Sequence, residues 1–149
     1  MFKQAMISLS CTMLLCQLSF AERCPSVSDI KSNNLKGWKA YDSDDGTLLS
    51  ASRETQFKKI VEEFALAEWT SNKKQAGSIH CYYRDQTGSS LEAYFAKDNF
   101  HPIISAKNFW YEVSGYMHCA AGMERCEFGN PLKSRARLAL TSKKMQKKV

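Results

Sequence analysis

SRETQFKKIVEEFALAEWT, running from Ser52 to Thr70, is the longest stretch of the chain with one sustained periodicity. Phe57, Ile60, Val61 and Phe64 fall at i, i+3, i+4 and i+7, and Ala65 and Glu68 extend the row. Lys58, Lys59, Glu62 and Glu63 take the opposite side. That spacing predicts one long amphipathic helix over 52–70, with an apolar stripe as wide as one face on a sheet. Ser52 supplies an N-cap hydroxyl, Glu54 suits the positive helix end, and Asn72, Lys73 and Lys74 suit the finish.

Downstream the period changes from 3.6 to 2. Gly77–Arg84 (GSIHCYYR) is rich in β-branched and aromatic residues, Asp85–Ser89 carries turn residues, and Ser90–Ala96 (SLEAYFA) alternates again, which reads as a hairpin. Phe109–Cys119 (FWYEVSGYMHC) reads as a further strand bent at Gly115, with His101-Pro102 as a break before it. Upstream, Lys36–Asp42 (KGWKAYD) suits a strand, and Ser26 caps a short helical turn with Asp29 three residues on. Asp42–Gly46 (DSDDG) reads as a turn, because a calcium loop needs an oxygen ligand where Gly46 stands and Gly where Thr47 stands. The expected fold is α+β: one long amphipathic helix packed on an antiparallel sheet of about four strands.

The two ends differ from this body. Residues 1–21 read as a cleavable signal peptide: Lys3 in a short n-region, an uncharged apolar run from Ala5 to Phe20, then Ser19-Phe20-Ala21 before Glu22. The run falls short of the roughly 20 residues a spanning helix needs. Residues 22–132 then form one globular domain. Residues 133–149 form a basic tail, the expectation being a solvated and disordered one. Lys133, Arg135, Arg137, Lys143, Lys144, Lys147 and Lys148 give the tail +7 with no acid, whereas residues 22–132 hold 13 basic and 15 acidic residues, a net of −2. A high pI confined to the tail argues against nucleic-acid binding by the domain. It leaves weak contact with an anionic membrane surface, or docking on another acidic surface, as uses of the tail.

Export also organises the cysteines. Cys11 and Cys16 leave with the signal, and Cys24, Cys81, Cys119 and Cys126 remain, an even set that makes two disulfides the expectation in an oxidising compartment. Three pairings are open. The short loop Cys119–Cys126 with Gly122 inside it, and Cys24–Cys81 tying the N-terminus to a central strand, are the preferred pair.

Little in the chain points to catalysis or to a bound cofactor. His80-Cys81 and His118-Cys119 invite a zinc reading, but neighbouring strand residues point to opposite faces. Paired cysteines spare no thiol nucleophile, and no Gly-x-Ser-x-Gly, phosphate-binding glycine loop, His-Glu-x-x-His or Cys-x-x-Cys is present. The enzymatic alternative is a small envelope hydrolase using His80 or His118 with nearby carboxylates. For binding, the aromatic strands supply Trp110, Tyr111, Tyr82 and Tyr83 as a candidate protein interface, since Tyr and Trp are enriched at such surfaces.

Several segments together resemble EirA-type proteins: Cys24-Pro25, Gly37-Trp38-Lys39-Ala40-Tyr41-Asp42, Phe64-Ala65-Leu66-Ala67-Glu68-Trp69, Gly77–Tyr83 and Trp110–Gly115. The likeness spans residues 24–128 and leaves the signal and the tail outside it. These are small proteins of intracellular bacterial pathogens with a Dot/Icm type IV secretion system. The resemblance implies a periplasmic accessory protein that supports secretion and intracellular replication through protein–protein contacts, without enzymatic activity. The expected partners are envelope components of the secretion machinery or a second copy of the chain.

Overall fold

The computed structural model describes residues 21–71 and 77–130. The signal segment 1–20 and the basic tail 133–149 lie outside the described residues. Among the described residues, no helix is long and apolar enough to cross a membrane.

The Ser52–Thr70 stretch does not form one helix. Helix α2 occupies only Ala51–Ile60, with Ser50 rather than Ser52 accepting from the Arg53 amide as N-cap. Val61 then takes an extended backbone (ψ 125°), and Glu63–Thr70 continues as a strand. The helical stripe fails at Ile60, which is 50% exposed, while Val61 beside it is fully buried. Ala, Leu and Glu favour helix locally, but β3 pairs along 63–70 on one side and β7 pairs with Ala67–Trp69 on the other, and that pairing outweighs propensity.

In chain order the elements are α1 (Val27–Lys31), β1 (Lys39–Asp42), α2 (Ala51–Ile60), β2 (Glu63–Thr70), β3 (Ser78–Arg84) and β4 (Ser90–Asp98). They are followed by β5 (His101–Pro102), β6 (Tyr111–Val113), β7 (Tyr116–Cys119), a 3₁₀ turn at Met123–Arg125 and β8 (Phe128–Gly129). The fold is mixed α and β, as expected. The sheet has six strands rather than about four, in the order β1-β4-β3-β2-β7-β6 with every neighbour antiparallel, and β5 and β8 form a separate ribbon. His101-Pro102, expected as a break, is thus a short paired strand. Phe109–Cys119 is a hairpin rather than one bent strand: Ser114 (φ 50°) and Gly115 (φ 85°) make the tight turn between β6 and β7. Two successive positive φ values are what a two-residue hairpin loop of type I′ requires.

The hydrophobic core lies on one face of this sheet. Ile79, Cys81 and Tyr83 of β3, Phe95 of β4, Ala67 of β2 and Cys119 of β7 are fully buried there. A bulge between Phe64 and Leu66 shifts the register of β2, so that Phe64 also turns to this side and meets Tyr83 edge-on. Phe57 of α2 covers Phe95, Ile30 of α1 is fully buried, and Phe128 of β8 meets Trp38 and Phe100 edge-on. The disulfides are Cys24–Cys81 and Cys119–Cys126, with Cα separations of 5.8 and 5.6 Å, and all four sulfurs sit in this core. Two disulfides fit an oxidising, extracytoplasmic compartment.

Candidate functional site

Strand alternation sends the intervening residues to the other face, on which no described helix packs. One row crosses the sheet in register as Tyr111, His118, Glu68, His80 and Ala96. The next row is Leu66, Tyr82, Tyr94 and Tyr41. Val113 and Tyr116, two positions on from Tyr111 and two before His118, share the side. This face therefore gathers five of the six tyrosines in the chain; the sixth is Tyr83.

At its centre Glu68 receives three neighbours. Its Oε2 lies 2.9 Å from His118 Nε2, and its Oε1 accepts from the Tyr82 hydroxyl at 3.4 Å and sits 3.7 Å from His80 Nδ1. His80 and then His118 hold the carboxyl below the usual glutamate range, against the desolvation that would raise it. The ring of His80 lies on that of Tyr94 (centroids 4.6 Å apart), Tyr94 stacks on Tyr41 (5.7 Å), and Tyr82 tilts against Tyr94 (5.2 Å). Burial and the Glu68 carboxylate push the Tyr82 phenol well above its ordinary value. The Tyr94 phenol is raised by burial, by Tyr41 and by the carboxylates of Glu68, Asp42 and Asp45. Tyr111 and Tyr116 at the hairpin end are the most open members, at 49% and 47% exposed.

Chemically, this is an aromatic sheet face around one partly covered carboxylate, wetter at the β6–β7 end. The two imidazoles reach different oxygens of Glu68, and among the described residues no group of three His, Cys, Asp or Glu side chains is arranged to hold a metal ion. Cys81 and Cys119, adjacent in sequence to the two histidines, are both in disulfides on the opposite face. Asp42 and Asp45 cap amides of their own turn, at Asp44 and Thr47, and Asp42 also pairs with Arg53.

The chain's residues 19–129 match the family model described as a protein of unknown function, DUF3757. The chain belongs to the DUF3757 family. No curated protein and no solved structure matches it. For this DUF3757 member the functional evidence is therefore its own geometry.

That geometry divides the four interface residues expected from the sequence. Tyr82 and Tyr111 lie on the open face. Tyr83 does not: it is fully buried in the core, donating its hydroxyl to the Pro25 carbonyl at 2.7 Å. Trp110 is also corrected, because it packs against the core and donates its indole N–H to Glu127 O at 2.9 Å. Adjacent strand residues cannot share a face, so Tyr82-Tyr83 had to split. Tyr41, Tyr116 and Glu68 were not anticipated. The tyrosines were legible in the alternation of their strands, whereas Glu68 was hidden by its assignment to a helix.

Proposed function

We propose that this protein is an exported, disulfide-braced binding protein whose tyrosine face docks a protein partner in the bacterial envelope. The observation that carries the reading is the gathering of five tyrosines on the sheet face that no described helix covers. Tyrosine offers large, rigid, amphipathic contact area at small entropic cost, which is why it dominates protein-binding surfaces. The signal-like N-terminus and the two disulfides support a periplasmic setting. The EirA-type resemblance favours a component of a type IV secretion machine as that partner.

Site-specific photocrosslinking in the native host tests the docking face. A photoreactive residue at Tyr111 or Tyr116 should give a discrete crosslinked product, and one at exposed Lys59 on α2 should not. Equal products from all three positions, or none from the tyrosines, would overturn the assignment of this face.

A second reading rests on the 2.9 Å contact between His118 and Glu68. A carboxylate that orients an imidazole is half of an acid–base apparatus, and a small envelope hydrolase would use His118 as its base. His118→Ala and His80→Ala separate the readings. A hydrolase loses its cellular function with the imidazole, whereas a docking face retains most of it.

A further inference from the structure

The tyrosine face has a charge preference, and the same chain carries its complement. Glu68 is ionised at the centre of the face, with 20% of its side chain exposed. The acidic Asp42–Gly46 turn closes the other end: a Cβ on Gly46 would lie 3.9 Å from the Tyr94 hydroxyl, and Asp44 and Asp45 are exposed beside it. Between these carboxylates lie the rings of Tyr82, Tyr94 and Tyr41, whose π-faces attract cations. The basic residues Lys39 and Arg84 on this side stand at its margins, at the ends of β1 and β3. A positively charged, partly apolar segment is the occupant such a face selects.

Residues 133–148 are such a segment, with seven Lys and Arg, no acid, and Leu138 and Leu140 among them. Its point of departure is close. Glu127 accepts from the Trp110 indole, Glu127 N donates to Asn108 Oδ1, and Phe109 N donates to Arg125 O, so the chain running to Asn130 passes along the entry to β6. From there, the 18 residues 131–148 span at most roughly 60 Å, more than enough to cross six strands spaced about 4.8 Å apart.

We propose that the chain's own basic segment 133–148 docks across the tyrosine face and competes there with the partner. This inference rests on that face being the docking site, and it adds an intramolecular competitor to it. Tethering gives the segment an effective concentration of order millimolar, so weak contacts suffice. Ionic contacts of this kind weaken as salt shortens the screening length.

The test compares the mature chain, residues 22–149, with a full-length variant in which the seven basic tail residues are glutamine, by two-dimensional NMR at low salt. The expected result is a set of shift differences at Tyr111, Tyr116, His118, Glu68 and Tyr82, absent at core residues such as Phe95. These differences should be independent of protein concentration and lost at 1 M salt. Superimposable spectra would overturn the proposal. Differences that grow with protein concentration would also overturn it, by assigning the contact to a second copy. Crosslinking at Tyr111 reports the partner separately. If nine-tenths of the molecules hold the segment docked, the glutamine variant should bind the partner about tenfold more tightly. A silent NMR comparison with intact crosslinking removes only the competitor, whereas tail-dependent shifts without crosslinking remove only the partner.

Discussion

Glu68 joins three adjacent strands through side chains: His118 from β7, its own β2, and His80 and Tyr82 from β3. Because these groups favour the ionised form, its folded-state pKa lies below the unfolded value. The stability it contributes is therefore present in full above the ordinary glutamate value of about 4.3 and is lost as pH falls through the lower folded value. Glu68→Gln should cost about 1 kcal/mol at pH 7, the scale of a net hydrogen bond with a partly exposed charged acceptor. It should also flatten the acid limb of the stability curve. Urea unfolding of both proteins at pH 7 and from pH 5 downward measures this, and parallel curves would show that the cluster contributes nothing. At this scale the sequence offered the residue types but not their meeting. His80 and His118 are 38 positions apart, and only the β3-β2-β7 order sets them on either side of Glu68.

The same order depends on 63–70 being a strand, and this was the element the sequence concealed. EFALAEWT satisfies two periods at once. Phe64, Ala65 and Glu68 continue a helical row, while Ala65, Ala67 and Trp69 form a strand row. What separates them is non-local: Ala67 is fully buried between Cys81 and Cys119, and Trp69 donates to Phe100 O at 2.7 Å. The 77–84 and 90–96 strands, by contrast, were legible because alternation and turn residues are local signals, and their pairing followed. Gly77 exposes the tertiary constraint on β2. A Cβ there would meet Trp69 Nε1 at 2.2 Å and the Thr70 carbonyl at 2.3 Å, and the second of these is backbone. Gly77→Ala should therefore destabilise the fold by about 2 kcal/mol, within the range for overpacking. Gly88→Ala in the exposed β3–β4 turn, where nothing lies within 4 Å, is strained only by its positive φ of 83°. Thermal unfolding of the two variants checks the contrast. An unperturbed Gly77→Ala would mean that β2 and the start of β3 are not packed as described.

For the whole molecule, the two disulfides close very different loops, and this sets their separate weights. Cys24 and Cys81 are 57 residues apart, and their bridge fastens the segment before α1 to the central strand β3. Cys119 and Cys126 are seven apart and fasten only the end of β7 to the turn after it. In the chain-entropy view a cross-link stabilises by restricting the unfolded chain, so the longer loop contributes about 4 kcal/mol and the shorter about 2.5 kcal/mol. Packing sharpens the contrast, since Cys24–Cys81 also holds Pro25 in place to accept the Tyr83 hydroxyl. Replacing Cys24 and Cys81 together with alanine should cost the domain most of a typical stability of 5–15 kcal/mol at the weak end of that range, and leave it unfolded at 37 °C. Replacing Cys119 and Cys126 should lower the midpoint of unfolding but keep the cooperative transition and the tyrosine face. Guanidinium titration of the oxidised protein and the two double variants measures both. Equal losses from the two pairs would mean that local packing around each bridge, rather than the loop it closes, governs how the disulfides hold this fold.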